Sequence, residues 1–137
     1  MVPVLCIGRR SRVSVYNSTR EKGIKGEKAA IEHLRREGYK IIVTNFRTRM
    51  GEIDIIAKDG DVIVFVEVKS ALSPRFGNPV GWVTKRKQMR IIRVSQAYMM
   101  GTCTGQCPVR YDVIGIDTNG GIQHIKDAFR PRGDFFM

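Results

Sequence analysis

The period of the apolar residues changes several times along this chain. Between residues 18 and 38, Ile24, Ile31 and Leu34 recur at i, i+7 and i+10, the spacing of one helical face. Ser18 followed by Glu21 has capping-box spacing and Gly38 supplies a stop, so a first helix is predicted over 18–38. Residues 39–47 read as a strand. Two β-branched runs, 52–58 and 61–69, are separated by Asp59-Gly60, a two-residue hairpin signal that predicts antiparallel pairing. Pro74, Gly77, Pro79 and Gly81 mark 70–81 as loop. A second helix is predicted over 83–100, with Ile91, Val94 and Tyr98 as its packing stripe and Arg86, Arg90 and Arg93 on another face. Strands at 110–116 and Ile122–Ile125, joined by Asn119-Gly120-Gly121, complete the order. The economical arrangement is α/β, a mixed five-stranded sheet flanked by helices. Residues 1–17 lack clear periodicity and read as a basic extension, 18–130 as one domain and 131–137 as a tail.

Composition narrows this picture only slightly: 137 residues with 42% hydrophobic and 27% charged suit a single folded domain rather than a disordered or repetitive chain. No apolar run approaches the roughly 18 residues of a membrane span. The apolar start precedes the first arginines, the reverse of a secretory signal, so export is not expected. Three cysteines leave no closed pairing. Free thiols in a reducing cytoplasm are therefore expected, ahead of a zinc site built on Cys103 and Cys107 with Cys6 or His124.

Charge changes the picture more. Lys and Arg number 24 against 13 Asp and Glu, a net +11. The whole excess lies in two acid-free windows, residues 1–20 and 70–110. Such a charge could simply maintain solubility, and no long amphipathic segment joins a basic face to a broad apolar one as membrane binding would. A nucleic acid is the natural partner.

Four polar residues stand where apolar ones are expected. Glu27 falls at i+3 from Ile24, inside the apolar stripe of the first helix, although a carboxylate there could simply answer the helix dipole. Glu52 and Asp54 share one face of the second strand, and Glu67 and Lys69 one face of the third. With Asp59 and Gly60 as the loop, Ala57 pairs with Val62, Asp54 with Phe65 and Glu52 with Glu67. All four polar residues then share one face, with Asp54 and Glu67 diagonal neighbours about 7 Å apart. Carboxylates this close repel unless a cation joins them, and hard oxygen donors suit Mg²⁺ or Mn²⁺ better than Zn²⁺. A Glu67–Lys69 ion pair at a sheet end is the simpler alternative.

Asp54 followed by Glu67-Val68-Lys69 resembles the PD-(D/E)xK signature of restriction-endonuclease-like nucleases, with Ile53 where the Pro would stand. The run Gly26-Glu27, Gly51-Glu52-Ile53-Asp54, Val66-Glu67-Val68-Lys69, Arg75-Phe76-Gly77, Lys85 and Tyr111-Asp112-Val113-Ile114 resembles the YraN family of bacterial proteins, over residues 23–129. That family is similar to archaeal Holliday junction resolvases. The resemblance implies a restriction-endonuclease-like fold and hydrolysis of DNA phosphodiesters, structure-specific for branched DNA, by a water activated beside Mg²⁺ or Mn²⁺. It implies that Asp54 and Glu67 hold the metal with the Val68 carbonyl, that Glu27 completes the shell, and that Lys69 orients the water. Glu52 would reach a second metal or support Lys69. Arg75, Lys85, Arg86, Arg90 and Arg93 would hold backbone phosphates. Cutting two symmetric strands would call for a homodimer. The competing reading is a non-catalytic nucleic-acid-binding module that keeps the fold.

Other features point elsewhere. Gln88 and Gln96 lack a tyrosine four residues on, so the motif of RecB-like exonucleases is absent, and no Walker-type loop supports nucleotide hydrolysis. His33 reads as structural and Trp82 as an anchor at the entrance of the second helix.

Overall fold

A computed structural model describes the protein over residues 16–72 and 81–131. The strands Lys40–Thr48 (β1), Gly51–Asp59 (β2), Val62–Leu72 (β3), Val109–Asp117 (β4) and Ile122–Ile125 (β5) form one mixed sheet in chain order. The first three are antiparallel neighbours, β4 runs parallel to β3, and β5 returns antiparallel to β4. A parallel step needs a crossover, and the helix Lys85–Thr102 (α2) supplies it. The helix Tyr16–Arg36 (α1) precedes the sheet.

The sheet is therefore covered on both sides. Ala30 and Leu34 of α1 are buried against Ile55, Ala57, Val64, Val66 and Ile114. On the other face Ile91, Ile92 and Val94 of α2 pack with Ile53, Ile56, Phe65, Tyr111 and Val113. Coverage on both sides explains why β3 reads as a nearly continuous apolar run. Trp82 is buried in the α2-side core, the anchoring role expected of it.

Several sequence-based boundaries shift. Tyr16 and Asn17 already have helical backbone, so α1 begins before Ser18 and crosses the expected 17/18 boundary. Extending a formed helix by two residues costs little compared with nucleating it. Ser70 to Leu72 belong to β3 rather than to the loop, because Leu72 pairs with Asp117 on β4. The rest of that loop lies outside the described residues. α2 starts at Lys85, with the Thr84 hydroxyl accepting from the Lys87 N–H, and runs to Thr102.

The hairpin register also differs. Asp59 pairs with Val62 and Ala57 with Val64, so Gly60-Asp61 is the loop instead of Asp59-Gly60. Gly60 has φ +61, and a type II′ turn wants glycine at this first loop position. The shift is two residues, so the alternation of faces along β3 is preserved.

Cys103 and Cys107 are joined as a disulfide, against the expectation of free thiols. The chain leaves α2 extended at Cys103 and turns at Gly105, φ +85, which brings the two Cα atoms to 6.4 Å, within bonding range.

One end of the sheet is tied by a buried polar network. Asp112 is fully buried and accepts from Arg110 Nε at 2.8 Å, from His124 Nε2 at 2.8 Å and from the Asp127 N–H at 3.0 Å. Arg110 also reaches Asp59 and the Tyr39 hydroxyl, and His124 bonds to His33 on α1. Burial alone would raise the Asp112 pKa, but His124 and Arg110 outweigh it and hold it below the usual carboxylate range. The Tyr111-Asp112 motif is thus structural, as is His33. Truncating one member of a buried charged network leaves its partners unpaired. Asp112→Ala is expected to lose about 3 kcal/mol or more of unfolding free energy, read from urea titrations followed by circular dichroism.

Candidate active site

At the opposite end of β2 the strand is irregular. Ile53 packs on the α2 side and Ile55 on the α1 side, although residues two apart on a regular strand share a face. On β1 the ladder pairs Thr44 with Ile55 and Phe46 with Ile53, and Asn45 between them has φ +55. Asn tolerates this left-handed backbone better than most residues. The kink turns Asp54 and Asn45 toward a hollow of about 390 Å³ on the α1 side, lined also by Glu27, Arg47, Glu52 and Val68.

Within it Glu27 accepts a 2.7 Å hydrogen bond from Asn45 Nδ2, and Arg47 Nε donates to Glu52 at 2.7 Å. Asp54 Oδ2 accepts from the Val68 N–H at 2.8 Å, tying β2 to β3 where their ladder ends. Gly26 lets α1 settle on β3 beside this hollow, since a Cβ there would collide with the Ser70 side chain. The sequence pair Gly26-Glu27 is thereby explained: the glycine permits the approach that delivers the glutamate.

Glu67 and Lys69 lie on the other face, in phase with Phe65. Glu67 is only 5% exposed, and its Oε1 is 2.7 Å from Nζ of Lys87 on α2. Lys87 also touches the Lys69 side chain. The expectation that Glu52, Asp54, Glu67 and Lys69 share one face is therefore corrected. The kink at Asp54 assigns Glu52 and Asp54 to the hollow with Glu27, while Glu67 and Lys69 meet α2.

Asp54 still joins the two groups electrostatically. Burial pushes its pKa up to about 7, the charge on Glu67 adds to this, and Glu27 and Glu52 contribute further, while the Val68 hydrogen bond opposes the rise. Glu27 is raised as well, by burial first and by Glu52, against the Asn45 hydrogen bond. Burial and the neighbouring Lys87 lower the Lys69 pKa. Burial opposes the charge on Lys87, yet its contact with Glu67 more than compensates and its pKa rises.

Among the described residues no group of three or more His, Cys, Asp or Glu stands in a metal-holding arrangement. The donor chemistry nevertheless suits a hard divalent cation, because the donors are carboxylate oxygens whose mutual repulsion such an ion would relieve. Lys87 carries a signal that sequence reading missed: it precedes Ile91, Val94 and Tyr98 by 4, 7 and 11 residues and so belongs to their packing stripe. Asn45 and Arg47 were missed too, and only Asn45, a residue tolerant of positive φ within a strand, gave any hint. Lys85, Arg86, Arg90 and Arg93 are exposed along α2. The Arg90 methylenes pack over Gly51, φ +146, where a Cβ would come within 2.8 Å of them. Arg75 lies outside the described residues.

Residues 26–116 match the family described as "Uncharacterised protein family UPF0102". The chain belongs to that family. It is 47% identical to a UPF0102 protein of Chlorobium chlorochromatii (strain CaD3), with 82% of this chain and 94% of that one covered. A UPF0102 protein of Thermodesulfovibrio yellowstonii is 48% identical over 80% of this chain and 96% of its own. Among solved structures, Pyrococcus furiosus SfsA in complex with Ca²⁺ is 17% identical with a TM-score of 0.30, covering 79% of this chain and 63% of that chain, a likeness too slight to argue from. No helix among the described residues is long and apolar enough to cross a membrane.

The electrostatics of Asp54 predict a pH signature. Unfolded, its carboxyl titrates near 3.8; folded, it keeps its proton to about 7. Between these values the folded state binds more protons, so this group's contribution to stability falls as pH rises. In chelator-treated buffer Asp54→Asn is expected to melt roughly 5 °C above the wild type at pH 8, with the gap closing toward pH 4. Equal melting temperatures at both pH values would contradict the assignment.

Proposed function

We propose that this UPF0102 protein is a divalent-metal-dependent endonuclease that hydrolyses DNA phosphodiester bonds, with branched DNA as the expected substrate class. The observation that carries the reading is the acidic cluster at one sheet end, in which Asp54 in the α1-side hollow feels the charge of Glu67, while Glu67 and Lys69 lie against Lys87 of the basic helix α2. The two carboxylates repel without a cation, and the site lies beside a surface suited to a polyanion.

Asp54 and Glu67 would hold Mg²⁺ or Mn²⁺, with the Val68 carbonyl and, directly or through water, Glu27. Such an ion supplies Lewis acidity and a nucleophilic water at neutral pH. Lys69, whose lowered pKa eases proton exchange, orients that water and offsets charge on the scissile phosphate. Glu52, held by Arg47, flanks Asp54 and supports the acidic cluster. Lys85, Arg86, Arg90 and Arg93 grip phosphates on either side of the cut, where charge matters more than sequence.

The test is cleavage of duplex, flap, four-way-junction and single-stranded DNA with Mg²⁺ or Mn²⁺. Cleavage of at least one substrate is expected, abolished by chelator and reduced by at least about 100-fold in Asp54→Ala and Lys69→Ala while DNA binding persists. Binding without cleavage on every substrate would replace this reading with a non-catalytic DNA-binding module.

A further inference from the structure

Glu67 is almost wholly buried, and a carboxylate so placed needs a positive partner. Its partner here is not Lys69, two residues along the same strand, but Lys87, whose Nζ is 2.7 Å away from the first turn of α2. The Lys87 side chain is 39% exposed, so the ammonium spans the interior carboxylate and the solvent. Its helix neighbours Arg86 and Arg90 are exposed and form part of the face proposed to meet DNA. The side chain rotates about a four-carbon stem and carries a compact point charge.

We propose that Lys87 is an exchangeable counter-ion. It neutralises Glu67 in the metal-free protein, and a divalent ion arriving at Glu67 releases it to a phosphate of the bound DNA. This rests on the metal-dependent nuclease reading and extends it: metal and DNA binding become coupled through one lysine. A divalent ion on Glu67 takes up the negative charge that holds the ammonium and repels the amine, so the Lys87 ion pair weakens when the ion binds. The released ammonium remains beside Lys69, where a phosphate replaces the lost anion. Such coupling is reciprocal, so DNA must also tighten metal binding.

The experiment measures Mn²⁺ affinity by electron paramagnetic resonance of the free ion. It also measures DNA affinity by fluorescence anisotropy at 4 °C within minutes of mixing, with intact DNA verified on a gel. Without DNA, Lys87→Met is expected to bind Mn²⁺ about tenfold more tightly than the wild type, because the competitor is gone. Lys87→Arg should bind it several-fold more weakly, because a forked guanidinium grips the carboxylate harder. Without metal, Lys87→Met should bind DNA as the wild type does. With saturating Mn²⁺ the wild type should gain affinity, and that gain should be at least about threefold smaller in Lys87→Met.

Equal weakening of DNA binding with and without Mn²⁺ would make Lys87 an ordinary phosphate contact and overturn the exchange. No change in either condition would make it a purely structural pair, and would overturn it too. Should Lys87→Met fail to fold, Lys87→Arg keeps the ion pair, and unaltered or tighter Mn²⁺ binding in it contradicts the proposal. Failure of wild-type protein to bind Mn²⁺ at all removes the nuclease reading along with this one. Metal-dependent cleavage with uncoupled Lys87 variants removes only this one.

Discussion

Two carboxylates at the inner end of a sheet set the terms for the rest of this molecule. Glu67 is nearly sealed from water and Asp54 beside it is held from ionising by burial and by its neighbour's charge. Neither would be selected for stability, since burying like charges opposes folding. The fold limits the cost in three ways: a backbone N–H is given to Asp54, an ammonium to Glu67, and a raised pKa lets Asp54 carry a proton near neutrality. Sites where such costs persist are where chemistry is usually found.

The compensating stability comes from elsewhere in the sheet. Strand β3 is buried on both faces, and the Arg110–Asp112–His124 network joins β2, β4, β5 and α1 at the opposite end. There every charge of Asp112 is answered by a donor, so that carboxylate stays ionised. The comparison is instructive because both clusters are buried and acidic: one is saturated with partners and rigidifies the fold, the other is left short of them.

Most of the architecture was legible because its signals are local. Periods of two and 3.6 located the five strands and both helices, and the polar residues interrupting apolar stripes located Glu27, Asp54 and Glu67. What was not legible depended on geometry between strands. The hairpin register turned on whether Gly60 takes the first or second loop position. The division of the acidic residues between two faces turned on a kink at Asn45 and Asp54 that no alternation pattern encodes. Lys87 escaped notice among the basic residues of α2, although its place in the Ile91–Val94–Tyr98 stripe marks it as inward-facing by the same logic that singled out Glu27.

That stripe also explains how one helix serves two purposes. Positions 87, 91, 94 and 98 face the sheet while 85, 86, 90 and 93 face solvent, so α2 carries a cation inward to Glu67 and a row of cations outward. The outward row lies in one of the two acid-free windows of the sequence, where no carboxylate of the helix itself can neutralise it. A polyanion drawn to that field, as the proposed function requires, would meet the end of the helix whose first turn holds Lys87. The exposed bases lie on the α2 side of the sheet and the hollow on the α1 side, so the Lys87–Glu67 pair is the point at which the positive field of α2 reaches the acidic cluster.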